Sequence, residues 1–82
     1  MEKHHEVKIF IDKQPKESPN PTTGHALYVL GNIDPTQYDL YREAKHGDDE
    51  LIKDDATEIR LHEGERFFSS PKKINPGVQA WR

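Results

Sequence analysis

The sequence contains no cysteine among its 82 residues. That absence removes disulfide stapling, thiolate catalysis, thioester carriage on the chain's own sulfur and cysteine-ligated zinc. Apolar residues are scarce, at 32% against 33% charged, a poor ratio for a globular chain. The shortage predicts loosely held ends around a compact middle. No apolar run is long enough to cross a bilayer, and no secretory-type apolar segment is present. The expected location is therefore cytoplasmic, with no membrane partner. Basic charge is also short: the formal net charge is -3. Among the lysines only Lys72 and Lys73 are adjacent. A general nucleic-acid binder carries a basic footprint, which is missing here. A chain of this length holds one domain with a small core.

What is present reads as short elements in close succession. Residues 1–6 are polar and are expected to form a flexible N-terminus. His4 and His5 are adjacent on an extended segment, point to opposite sides and make no metal pair. Val7, Ile9 and Ile11 alternate with Lys8 and Phe10, the period of a half-buried strand. Asp12-Lys13 supplies a hairpin turn without the glycine that tight turns favour. Residues 14–18 form the return strand, and Pro15, which has no N–H, places it at a sheet edge. Thr22 or Thr23 can cap a short helix over residues 24–30. Ala26, Leu27, Leu30 and Ile33 make its apolar stripe, and Gly31-Asn32 ends it.

The second half continues in the same way. Residues 38–43 alternate as a strand, residues 44–50 make a polar loop, and Leu51-Ile52 is a short apolar anchor. The acidic residues Asp48, Asp49, Glu50, Asp54 and Asp55 do not fit the spacing of a calcium-binding loop. Residues 57–61 (TEIRL) are the most strand-like run of this half, with Ile59 and Leu61 on one side. Glu63-Gly64 turns the chain into a second extended run containing Phe67-Phe68. Beyond Ser69 the composition becomes linker-like, and residues 71–82 are expected to form a flexible C-terminal tail.

This order predicts an α+β fold: a mixed sheet of four to five strands with one short helix packed across it. It is the order of a β-grasp domain, here spanning residues 7–70. First and last strands would lie parallel at the centre. Val7, Ile9, Ile11, Leu27, Leu30, Leu40, Leu51, Ile59 and Leu61 would fill the core.

Four segments carry a family likeness: KIFID at residues 8–12, TTGHALYVLGNI at 22–33, YDLYRE at 38–43 and DATEIRLHEGERFFSSP at 55–71. Together they resemble the prokaryotic multiubiquitin-type ubiquitin-like domains. Leu61, Gly64, Glu65, Phe67, Phe68 and Pro71 also resemble the final strand and tail of sulfur carriers of the same fold. The resemblance implies a protein modifier that works through a C-terminal glycine and needs no cofactor of its own. It would be activated by a ubiquitin-activating-like enzyme, passed to a conjugating-like enzyme and joined to amines on protein targets. A metallopeptidase of the same operon would trim the precursor. Ubiquitin and the sulfur carriers end in Gly-Gly. Here Asn75-Pro76-Gly77 is followed by Val78, so Pro76, Gly77 and Val78 mark the implied processing and conjugation site.

Two other classes remain beside the modifier. One is a non-conjugated β-grasp interaction module. Phe10, Tyr41 and one of Phe67 and Phe68 fall on outward faces by alternation, and Trp81 can anchor a partner. Phe10, Tyr41, Phe67, Phe68 and Trp81 are thus the candidate partner-binding residues. The other class is an enzyme. Ser69-Ser70 and the histidines lack any nucleophile-elbow or metal-helix context, so an enzyme is not expected.

Overall fold

A computed structural model describes residues 5–72. The elements run β1 (His5–Ile11), β2 (Gln14–Asn20), β3 (Thr22–Thr23), α1 (Gly24–Leu30), β4 (Tyr38–Arg42), β5 (Glu50–Ile52), β6 (Glu58–Ile59) and β7 (Arg66–Pro71). Five strands form one mixed sheet in the order β2-β1-β7-β4-β5, and β3 and β6 form a second, two-stranded sheet. β1 and β7 run parallel at the centre, and the other pairs are antiparallel. Among the described residues the chain has one helix, and the whole is an α+β, β-grasp-like fold. Strand pairing reaches from His5 to Pro71, slightly wider than the expected 7–70. Of the expected flexible ends, 1–6 and 71–82, His5, Glu6 and Pro71 are instead paired in strands and the Lys72 amide is bonded to Gln37, whereas residues 1–4 and 73–82, with Pro76, Gly77, Val78 and Trp81, lie outside the described residues.

Local chemistry sets each boundary. The Asp12-Lys13 loop joins Ile11 to Gln14 with both loop residues left-handed, φ 53° and 70°. This is the two-residue turn whose twist suits a hairpin, built without glycine. The Asp12 carboxylate accepts hydrogen bonds from the Ser69 amide at 2.8 Å and the Ser69 hydroxyl at 2.7 Å, holding the turn against β7. Thr23 caps α1, its hydroxyl accepting from the Ala26 amide at 3.1 Å. At the other end Asn32, φ 57°, takes the left-handed position. The Asn32 and Ile33 amides close back on the Val29 and Tyr28 carbonyls, a Schellman ending.

The buried face of the helix is not the expected stripe. Ala26 is exposed and Leu30 half-buried, whereas Leu27 and Tyr28 are buried. Gly24, Leu27, Tyr28 and Gly31 sit at helical i, i+3, i+4, i+7 spacing. The two glycines let the helix sink onto its neighbours. A Cβ on Gly24 would strike the Lys53 carbonyl oxygen, and one on Gly31 would lie 2.8 Å from Ile11. Gly31 thus serves close packing, while Asn32 supplies the backbone conformation.

The core comprises Ile9, Ile11, Leu27, Tyr28, Leu40, Ile52, Ile59, Leu61 and Phe67, with Val7, Leu30 and Ile33 packed against it. Leu51, expected inside, is 45% exposed, and Ile52 is buried in its place. The register explains the exchange: Ile52 opposes inward-facing Leu40, and Leu51 opposes Tyr41. Residues 57–61, expected as one strand, are a strand only at Glu58–Ile59. They do not form a hairpin with the Phe67-Phe68 run. Instead Ile59 and Glu58 pair with Thr22 and Thr23. The Leu61 amide and carbonyl are both bound by the Asn20 side-chain amide, at 2.9 and 3.0 Å. The main chain of this run is thus tied to β3 and Asn20 rather than to β7.

Tyr28 is the polar exception in the core. Its hydroxyl donates to the Ile52 carbonyl at 2.8 Å and accepts from the Leu40 amide at 3.0 Å. One side chain thereby ties α1 to β4 and β5. Burial pushes its pKa above the ordinary tyrosine value. The stabilisation from neutral Tyr28 is full below the unfolded tyrosine range and is lost as pH rises through the raised folded value. Tyr28→Phe leaves a buried N–H and C=O without that partner. It should cost about 1–3 kcal/mol in chemical denaturation at neutral pH, and should flatten the stability loss on the alkaline limb. An unchanged alkaline limb would remove this role from Tyr28.

Candidate interaction surface

The sheet has an inner face under α1 and an outward face. Strand alternation sends Lys8 and Phe10 of β1, Tyr41 of β4, Leu51 of β5, and Arg66 and Phe68 of β7 to the outward side. Tyr41 and Phe68 are direct cross-strand partners, and their rings stack at 5.4 Å between centroids and 15° between planes. Such an aromatic pair stabilises by about 0.5–1.5 kcal/mol beyond its buried area. Leu51 opposes Tyr41 on the far side and extends the apolar strip to the sheet edge. Phe10 opposes Arg66, whose guanidinium lies 5.3 Å from the Phe10 ring centroid, within cation–π range. A shallow depression of about 200 Å³ lies beside these residues, lined by Phe10, Asp12, Lys13, Arg66 and Phe68 among others.

Phe10, Tyr41 and Phe68 are half-buried on this outward face. Phe67 is not part of it. It is 1% exposed, opposes Ile11 on β1 and packs in the core. Of the two adjacent phenylalanines, the β7 register turns Phe67 inward and Phe68 outward. The structure thus brings Tyr41 and Phe68 into contact and sets Phe10 one strand away under Arg66. Leu51 and Arg66 are the members that sequence reasoning missed. The adjacency of Leu51 and Ile52 put one of the two outward, because neighbours on a strand face opposite ways, and the register with β4 decides that it is Leu51.

One end of the sheet is closed by charge. Arg42, with its side chain 19% exposed, donates to the Arg60 carbonyl at 3.0 Å and to Glu65 at 3.1 Å. It also reaches Glu50 at 3.2 Å and lies 5.9 Å from the Phe67 ring centroid. These contacts join β4, β5 and the loop before β7. The arrangement engages the Nε and Nη1 groups of Arg42 within the fold. Elsewhere His25 Nδ1 lies 2.7 Å from Asp54 in an exposed pair at the start of α1. Among the described residues, no three histidine or acidic side chains are grouped to hold a metal ion, and no helix is long and apolar enough to cross a membrane.

The route to the C-terminal segment leaves the sheet at its centre. β7 ends at Pro71, and the Lys72 amide then donates to the Gln37 carbonyl at 3.0 Å. The Lys72 ammonium donates to the Asp39 carboxylate at 2.8 Å. That hydrogen bond raises the Lys72 pKa above the ordinary lysine value. The contribution is present below the unfolded lysine range and is lost as pH rises through the raised value. Both partners are open to solvent, so it acts as a local clasp. An NMR titration should show Asp39 and Ser70 amide shifts moving together above the ordinary lysine range. Lys72→Met should abolish that movement, and its persistence would mean that another group titrates there.

No family model, no curated protein and no solved structure matches this chain.

Proposed function

We propose that the protein is a bacterial ubiquitin-like modifier, cut after Gly77 and joined through the Gly77 carboxylate to amines on target proteins. The observation that carries the reading is the strand order. β7, the last described strand, is inserted at the centre between β1 and β4 and leads the chain out through the Lys72 clasp. Gly77 follows Lys72 by five residues, a span of at most about 18 Å for extended chain. A compact body with a glycine this close suits a protein whose terminus must reach an enzyme's centre.

The chemistry required belongs to the partners. A metallopeptidase would hydrolyse the Gly77–Val78 bond and free the Gly77 carboxylate. A ubiquitin-activating-like enzyme would join that carboxylate to ATP as an acyl adenylate, releasing pyrophosphate. A cysteine thiolate of the enzyme would then displace AMP and form a thioester. After transfer to a conjugating-like enzyme, a target amine would attack the thioester and expel the thiol. This chain has no cysteine, and the scheme asks none of it. Its own part is to present Gly77 and a surface that the enzymes hold. The outward Tyr41–Phe68 strip, with Phe10 beside it, is that surface.

The same strip favours a second reading, a β-grasp module that binds partners without conjugation. The two differ at Gly77. Co-expression with the genes that flank its own, followed by intact-mass analysis, should give a chain ending at Gly77 and heavier adducts. Gly77→Ala should abolish the adducts, while Tyr41→Ala with Phe68→Ala should reduce them with the fold kept. A full-length chain with no adducts would overturn the modifier. Partner capture that persists in Gly77→Ala and is lost in the Tyr41 and Phe68 variant would establish the module.

A further inference from the structure

β2 is an edge strand of the five-stranded sheet, bonded on one side to β1. An open edge of this length invites pairing with another chain. The register shows what this edge offers. The loop between β1 and β2 has two left-handed residues and is closed by Ile11 opposite Gln14. In such a hairpin the closing pair exchanges both main-chain hydrogen bonds, and bonded pairs alternate with unbonded ones from there. Lys16, Ser18 and Asn20 therefore bond to Ile9, Val7 and His5. Pro15, Glu17 and Pro19 oppose Phe10, Lys8 and Glu6 without bonding and turn their main-chain groups to the open side.

Two of those three residues are proline and carry no N–H. The Pro19 carbonyl already accepts the Ser18 hydroxyl at 2.9 Å. Along seven residues of strand the open edge thus presents a single donor, the Glu17 amide. An added strand would lose its bonding partner at Pro15 and again at Pro19, with its own carbonyls stranded there. The opposite edge is blunted differently, because β5 spans three residues.

We propose that Pro15 and Pro19 block the β2 edge, so that a second copy of this chain cannot add to the sheet there. Both prolines occupy the open-facing positions of the register, where a proline removes no bond within the fold. The protein thereby stays a monomer through β2 while its outward face remains available. This inference does not depend on conjugation.

Two measurements on the full chain test it. Hydrogen exchange on the unaltered protein reads the register. The Glu17 amide should show loss of protection while the Lys16 and Ser18 amides are protected, and the reverse pattern would overturn the proposal. Sedimentation of Pro15→Thr combined with Pro19→Thr reads the block. The variant should shift toward twice the monomer mass as concentration rises, with the Glu17 amide gaining protection, while the parent stays monomeric. A folded variant that remains monomeric at the same concentrations, or a parent that dimerises through β2, would also overturn it.

Discussion

The parallel pairing of β1 with β7 is the constraint on which the other features depend. It joins segments far apart in sequence, with Phe10 opposite Arg66 and Ile11 opposite Phe67. A slip of one residue would reverse every β7 side chain. Phe67 would leave the core and Phe68 would enter it. The chain holds the register at both ends of the contact. The Gly64 amide donates to the Lys8 carbonyl at 2.7 Å, where Gly64 adopts φ 84°. At the far end the Asp12 carboxylate grips Ser69. A turn of two left-handed, non-glycine residues is strained in isolation. Here its carboxylate serves the central strand, which gives that conformation a use.

Once β7 is fixed, one side of the sheet is core and the other is surface. Tyr28 and Phe67 complete the inside, and Tyr41, Phe68, Phe10 and Leu51 decorate the outside. Proline and strand length limit the two edges. The helix lies as close as it does because Gly24 and Gly31 leave no side chain in the way. The outward face therefore keeps its aromatic strip clear of the helix and the core.

The sequence made the parts with a clear period or a cap legible. Residues 24–30 were recognisable because Thr22-Thr23 and Gly31-Asn32 carry the chemistry of helix ends. β1 was recognisable because three β-branched residues alternate without interruption, and Pro15 marked β2 as an edge. Two apolar residues in adjacent positions gave no such guide. Leu51-Ile52 and Phe67-Phe68 each contain one inward and one outward residue, and only the cross-strand register says which. Residues 57–61 showed an extended backbone but not its partner, because alternation reports conformation and not pairing. Tyr28 was missed since its burial depends on two main-chain groups brought from β4 and β5. Of the site, Phe10 and Tyr41 were readable by alternation, the choice of Phe68 over Phe67 came only with the register, and Arg66 became visible only through its place over Phe10.

The proposed modifier role rests on one bond, between the Gly77 carbonyl and a target amine. Trypsin cleaves after Lys73, so a conjugate through Gly77 would leave Ile-Asn-Pro-Gly on the side chain of a target lysine. Peptide mass spectrometry of cells that make this protein measures that remnant directly. Conjugation through Gly77 should yield lysine peptides carrying Ile-Asn-Pro-Gly, which vanish when Gly77 is replaced by alanine. Recovery of tryptic peptides that run uncut from Ile74 through Gly77 into Val78, with no such remnant on any lysine, would contradict it.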